Sequence, residues 1–464
     1  MRPTRRTVLT ATAAAGTAAL ASAGPAEAAP QGGRPPATAQ HPSRELRELL
    51  REMDPARVEA TVRRLVSFGT RHTLSVQDDP ARGIGAARDW LLSELRSYAA
   101  VSGGRMTAEL QSYVQEPASR IPVATKITNV VATLRGSVTP ERVYVVSGHY
   151  DSRVTDVMDA TSDAPGADDD ASGVAVVLEL ARVVAKRRTA ATIVFAAVAG
   201  EEQGLYGSTH LAEQLKAAGA DVQGMFTNDI VGSSTADDGT KDPYTVRLFA
   251  EGVPTSETPE QAAIRRSVGG ENDSATRQLA RFVRDVADND ATGMHVRMIY
   301  RRDRYLRGGD HIPFLERAWP AARFTEPAED FAHQHQDVRV EDGKQYGDLP
   351  RFCDFGYITR VARVNAAALW TLAQAPGTPT GAKILTSALT NSTQLVWTRG
   401  TEPDLAGYEI VWRETTAPEW THVIPAGDVT AFEVDLSKDN VFFGVRAVNT
   451  KGLRSPVAFP LPQS

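Results

Sequence analysis

Cysteine is almost absent from this chain: Cys353 stands alone among 464 residues. An intramolecular disulfide is therefore impossible, and a thiolate metal site is excluded for want of ligands. An excess of one charge is missing too. The formal net charge is −6, with no basic stripe beyond the first few residues, which argues against a nucleic-acid partner. Apolar runs long and uninterrupted enough to span a bilayer are also lacking, so no stable membrane association is expected. Any metal must be held by His, Asp and Glu, which points to zinc, manganese or another hard-to-borderline ion. The length suffices for one large core and a second, smaller one.

The first residues read as an address. Thr4-Arg5-Arg6-Thr7-Val8-Leu9 is a twin-arginine pattern, followed by a weakly apolar, Ala-rich stretch and a small-x-small site at Ala26-Glu27-Ala28. Residues 1–28 are thus expected to be a twin-arginine signal peptide, and the protein to be secreted. Residues 29–42, rich in Pro, Gly and Ala at their start, are expected to be a disordered leader.

From Ser43 the apolar residues recur at helical spacing, through Leu46, Leu49, Leu50, Val58, Val62, Leu65 and Val66. A second amphipathic pattern covers Ala86 to Tyr98. The run Arg142–Gly148, rich in β-branched residues, predicts a strand, followed by a helix from Ala171 to about Lys186. A strand over Thr192–Ala199, a helix near Tyr206–Ala217, a strand ending at Asn228-Asp229, a helix near Ala275–Ala287, a strand at Ala321–Thr325 and a long helix over Arg351–Thr371 follow. Strands alternating with helices predict an α/β fold, a mostly parallel sheet with helices on both faces, over residues 43–375. Residues 376–381 are a Pro/Gly/Thr linker. Residues 382–464 break into short alternating runs with turns at sandwich-like intervals, which predicts an all-β sandwich. Its aromatics Trp397, Tyr408 and Phe443 are read as core residues.

In such a sheet, ligands collect at the carboxyl ends of the strands. His149 follows one predicted strand, Glu201 and Glu202 follow another, Asp229 ends a third, and Asp168 lies in a Gly-bounded loop leading into a helix. Each has a plainer explanation alone: a satisfied structural histidine, a solvated acidic face, a turn cap, or, for Asp168–Asp170, a helix N-cap. Together, on one rim, they indicate a divalent metal site. Two adjacent carboxylates after an apolar strand are costly without a positive charge between them.

At this point the residues reach a known family. His149-x-Asp151-Ser152, Gly166-Ala167-Asp168-Asp169 with Gly173, Glu201-Glu202-x-Gly204-Leu205-x-Gly207-Ser208 and Asn228-Asp229 resemble the di-zinc aminopeptidases of peptidase family M28. Gly309-Asp310-His311-Ile312-Pro313-Phe314 and a late His-x-x-x-Asp extend the likeness to roughly residues 45–375. The resemblance implies two zinc ions bridged by Asp168. His149 and Asp229 would complete one, and Glu202 and a late histidine the other. His333, four residues before Asp337, fits that histidine by count, whereas His335 does not. Glu201 would be the general base of peptide hydrolysis by a zinc-activated water. Asp151 would fix the His149 tautomer, with Asp169 also in a supporting position; the Asp168–Asp169 pair is the expected place of a strained peptide bond. His311 is expected to support the site, and His210 and His295 to be unrelated to it.

One departure from the family is Ala332, where some members carry a tyrosine before the histidine. Oxyanion stabilisation then falls to the ions, helped by Tyr300, Tyr305 or an arginine of the Arg301–Arg307 group. The pocket for the substrate side chain is expected from residues 233–310. The function so implied is a secreted zinc aminopeptidase acting on peptide or protein substrates. A carboxypeptidase or dipeptidase on the same centre is the nearest alternative, and a single-zinc glutaminyl cyclase-like acyltransferase a remoter one. A scaffold without activity would show degenerate ligands. Residues 382–464 resemble a fibronectin type III domain, expected to be an accessory dispensable for small substrates. No oligomeric state follows from the pattern.

Overall fold

The structure, a computed structural model, describes residues 38–463. The expected signal peptide, and the leader up to residue 37, lie outside the described residues. The helices are α1 (Arg44–Arg51), α2 (Pro55–Val66), α3 (Gly83–Ala100), α4 (Ala171–Val184), α5 (Glu201–Gly204), α6 (Tyr206–Ala217), α7 (Pro259–Ser267), α8 (Ala275–Ala287), α9 (Ile312–Leu315) and α10 (Phe355–Gln374). The strands of the main sheet are β1 (Met106–Gln115), β2 (Thr125–Leu134), β3 (Thr139–His149), β4 (Ala191–Val198), β5 (Asp221–Asn228), β6 (Thr245–Phe249), β7 (His295–Ile299) and β8 (Ala321–Thr325).

These eight strands form one sheet in the order β1-β2-β4-β3-β5-β8-β6-β7. The central β4, β3, β5 and β8 are parallel, but β1 and β2 pair antiparallel on one side and β6 runs against β8 on the other. The sheet is therefore mixed rather than mostly parallel. The reversed flanks come partly from β1 and β2, which the pattern did not announce: β2 is buried on both faces, and Thr128, Asn129 and Thr133 break up its apolar residues.

Successive residues of β3 point to opposite faces. Tyr144 and Val146 join a core with α2, α3, α4 and α10, while Val143 and Val145 join a second core with α6 and α9. Helix starts follow from local chemistry: Ser43, Asp54, Asp170, Ser274 and Asp354 each accept a backbone N–H of the first turn, and Pro55 sits at the first position of α2. Helix α4 lies so close to β5 that a Cβ at Gly173 would meet the Asn228 carbonyl oxygen at 2.1 Å, so only glycine fits.

Beyond β9 (Arg339–Glu341) and β10 (Lys344–Tyr346), the C-terminal region holds β11 (Lys383–Leu385), β12 (Thr393–Val396), β13 (Leu405–Glu414), β14 (His422–Gly427), β15 (Ala431–Val434), β16 (Val441–Asn449) and β17 (Leu461–Gln463). They form a four-stranded and a three-stranded sheet sharing a core that includes Trp397, Tyr408 and Phe443.

This region is clamped to the α/β part rather than tethered. Asp273, before α8, pairs with Arg281 at 2.8 Å and with Arg413 of β13 at 2.7 Å, all three side chains buried. Trp420 is buried against both arginines and donates to Gln278 Oε1 at 2.9 Å. The linker is pinned as well: Gly377 N–H donates to Glu402, which pairs with Arg142 of β3 at 3.0 Å. Residues 38–42, expected within a disordered leader, are seated in part. Thr38 donates to Asp285 Oδ1 at 2.7 Å, and Gln40 Oε1 accepts from the Arg454 N–H at 3.0 Å. Short polar segments lack an apolar face, so the pattern gave no sign of this anchoring. Among the described residues no helix is long and apolar enough to cross a membrane.

Candidate metal centre

The carboxyl ends of β3, β4 and β5 lie side by side because these strands are parallel neighbours, and they deliver His149, the Glu201–Glu202 pair and Asp229 to one rim. The segment after β8 brings in residues 326–336. Two triads of ligand-type atoms result. His149, Asp169 and Asp229 form one; Asp169, Glu202 and His335 form the other. Asp169 belongs to both. His149 Nε2 lies 3.0 Å from Asp169 Oδ1, while Asp169 Oδ2 lies 2.7 Å from His335 Nε2, itself 3.0 Å from Glu202 Oε1.

Three expectations are corrected here. Asp168 does not face the centre: its Oδ1 accepts the Gly232 N–H at 2.6 Å, and burial pushes its carboxyl up to about 7 beside Glu326. The residue shared by both triads is Asp169, which was expected only in a supporting position. His333 also turns away, stacking on Phe352 at 3.5 Å between ring centroids and pairing with Asp330 at 3.0 Å. His335 takes its place, carried there on a left-handed backbone with φ of 51°, an uncommon conformation for histidine that favours a turn. Asp337, used for the spacing, accepts from the Thr155 N–H at 3.2 Å. The cis peptide bond is Asp169–Asp170, one residue later than expected.

The three consecutive aspartates thus have three jobs. Asp168 ties down the loop at Gly232. Asp169 points into the rim. Asp170 caps α4 through the Gly173 N–H and accepts the His149 N–H at 2.9 Å. Asp348, which no motif marked, accepts the N–H groups of both Asp168 and Asp169 at 2.8 Å. Buried Arg71, equally unmarked, donates to the carbonyls of Tyr150, Pro165 and Gly166 and fixes the loop between β3 and α4. A buried arginine in that role carries no sequence signal, because its partners are backbone atoms. Since Asp348 aims Asp169, Asp348→Ala should weaken metal binding about 10- to 100-fold with the fold retained, measured by competition with a chromogenic chelator.

Asp151 organises the other side. Its carboxylate accepts the Glu201 N–H at 3.4 Å, the Glu202 N–H at 3.2 Å and the Thr73 hydroxyl at 3.0 Å. It also lies 3.5 Å from His149 Nδ1, whose other neighbour is the Asp151 carbonyl at 3.2 Å. These contacts leave Nε2 facing Asp169. Burial would lower the His149 pKa, but the hydrogen bonds to Asp151 and Asp169 outweigh it and raise the value well above the usual imidazole range. Glu201 belongs to neither triad. Burial, reinforced by Asp229 and Glu202, holds its carboxyl well above the ordinary range against the pull of His149. Arg323 pairs with Asp229 at 2.7 Å, and Arg153 with Glu202 at 2.9 Å.

The remaining candidates separate cleanly. His311 is buried with Nε2 on the Arg302 carbonyl, outside both triads. His210 stacks on Tyr113, and His295 pairs with Asp288. Tyr300 lies against Arg277, and Tyr305 is exposed beside Arg301. Of the Arg301–Arg307 group, Arg304 and Arg307 line the cavity over the centre, with Gly308 the other contribution from residues 233–310. Much of the wall comes instead from Arg120, Arg153, Leu205 and residues 331–336.

The donor set fits a borderline divalent ion: two imidazoles and three carboxylates, with no thiolate. Glu202 Oε1 and His335 Nε2 are shielded from water and 3.0 Å apart, yet neither is satisfied by a well-aligned hydrogen bond. Orphaned polar atoms of this kind call for an ion.

Residues 129–341 match the family described as Peptidase family M28. A "Probable zinc metalloprotease" of Leptosphaeria maculans is 56% identical over 421 residues, covering 91% of this chain and 98% of the relative. The chain belongs to peptidase family M28. Among solved structures, the M28 chain is similar to the LapA aminopeptidase of Legionella pneumophila, with a TM-score of 0.49 and 19% identity over 71% of this chain and 75% of that one. It is similar as well to a glutaminyl cyclase of Porphyromonas gingivalis, with a TM-score of 0.47 and 19% identity over 68% of this chain and 98% of that one. At such identities neither likeness bears on the activity of this M28 chain.

Proposed function

We propose that this M28 protein is a zinc-dependent metallopeptidase that removes residues from peptide ends, with two ions held by His149, Asp229, Glu202 and His335 and bridged by Asp169. The observation that carries this reading is Asp169, whose two oxygens serve two separate triads while Glu201 stands free beside them. Ions bound there would polarise a peptide carbonyl and lower the pKa of water. Glu201 accepts the proton of the attacking water and returns it to the leaving amine, a role suited to a carboxyl outside both triads. Asp151 holds the backbone of Glu201 and Glu202 in place, so the two neighbouring carboxylates keep different directions.

The family resemblance favours an aminopeptidase. A carboxypeptidase or dipeptidase is a second reading, favoured by the arginines that line the cavity. A cyclase reading fares worse, since both triads are complete. The twin-arginine pattern supports secretion, and the two small sheets with their aromatic core support a fibronectin type III-like C-terminal domain.

The test compares His335→Ala with His333→Ala. The first should reduce bound zinc from two ions to one and abolish chelator-sensitive peptide hydrolysis. The second should change neither. The reverse pattern would overturn the assignment, and hydrolysis that survives complete zinc removal would overturn the metallopeptidase reading.

A further inference from the structure

The cavity over the metal centre has a volume of about 680 Å³ and is lined by charges of both signs. Its carboxylates are Asp169, Glu201, Glu202 and Asp229, every one of them committed to the ions or to proton transfer. Its cations are Arg120, Arg153, Arg304 and Arg307. Arg153 is engaged with Glu202, and Arg120 donates to the Glu202 carbonyl at 2.9 Å, so these two belong to the framework of the centre.

The other two are in surplus. Glu329 is shared by Arg247 at 3.2 Å, Arg304 at 3.3 Å and Arg307 at 2.9 Å, so three guanidinium groups meet one carboxylate. Asp303 offsets part of this, but it faces Arg323 at 3.6 Å as well as Arg304 at 3.3 Å. Arg304 is held by both acids and is nearly buried, at 8% side-chain exposure, whereas Arg307 keeps 32% and opens into the cavity. A positive charge on the wall of an open cleft attracts an anion, and a planar guanidinium matches a carboxylate with two parallel hydrogen bonds.

We infer that Arg307, stiffened by Glu329 and backed by Arg304, recognises a carboxylate of the substrate near the scissile bond. The inference rests on the peptidase reading for its substrate class. That carboxylate has two sources: the C-terminus of a short peptide, or an Asp or Glu side chain beside the cleaved bond. A substrate with a free carboxylate fills the place that the charge pattern leaves open, while the apolar surfaces of Leu205 and Phe331 bound the same cavity.

Binding can be separated from turnover with the zinc-loaded full chain carrying Glu201→Gln, titrated calorimetrically with two matched pairs. Ala-Leu against Ala-Leu-amide tests the terminal carboxylate, and Glu-Leu-amide against Gln-Leu-amide tests the side chain. At least one acid should bind tenfold or more tighter than its neutral twin. Adding Arg307→Met should remove that preference with zinc content unchanged, and Arg307→Lys should keep part of it. Equal binding of acid and neutral twins, no binding of any of the four, or a preference undiminished by Arg307→Met would overturn the inference. Failure of the peptidase reading shows separately, as absent hydrolysis by the zinc-loaded parent.

Discussion

Glu201→Gln should lower peptide hydrolysis on the order of a hundred- to ten-thousand-fold while leaving zinc content and thermal stability close to those of the parent. The expectation follows from where the residue sits. Glu201 opens α5 immediately after β4, its N–H held by Asp151, and its side chain makes no ion pair among the described residues. The swap preserves shape and removes only the capacity to take a proton. Glu202, one residue on, answers differently, because its carboxylate belongs to the second triad: Glu202→Gln should lose zinc as well as rate. Steady-state kinetics beside metal analysis distinguishes the two. A Glu201→Gln enzyme as fast as the parent would rule out the proton-transfer role, and one that had lost an ion would make Glu201 a ligand instead.

The second large effect is on stability. Asp273→Ala should destabilise the protein by about 3–5 kcal/mol, the cost of leaving buried charges without their partner. Asp273 is the shared acceptor of Arg281 and Arg413, all nearly inaccessible to water, and Trp420 seals the cluster. Its loss strands one guanidinium on each side of the junction between the α/β part and the C-terminal sheets. Denaturant unfolding would show it as a lower midpoint, and an unchanged midpoint would mean that the junction carries little energy. The same geometry argues against a freely removable accessory. A chain ended at residue 375 would expose the face of α8 that Trp420 covers and leave Asp273 with one arginine instead of two, so poor solubility is expected before any change in chemistry.

The contrast between what the sequence disclosed and what it hid follows the range of the interactions. His149, Glu201, Glu202 and Asp229 were legible because each closes a strongly apolar run, and the topology of a parallel sheet then forces their ends together. The two misplaced residues sit in loops. Among Asp168, Asp169 and Asp170, composition is identical, and only the path set by Asp348 and Gly232 decides which carboxyl faces the rim. His333 and His335 differ by a positive φ that no residue count reveals. The flanking strands β1 and β2 escaped for another reason: β1 leaves the apolar Leu110 and Val114 exposed, and β2 is buried on both faces, so neither carries its apolar residues on one face alone.

The hydrogen bond from the Arg454 N–H to Gln40 has a consequence for how this chain is made. It joins positions 414 residues apart, and Asp285, midway, receives Thr38 from one end and faces Arg446 from the other. Such contacts close the longest loops in the molecule, which form late because so much chain must first be ordered. The α/β part can acquire its core as it emerges from the ribosome, yet Gln40 finds this partner only once residue 454 has been made. Completion is therefore a post-synthetic event.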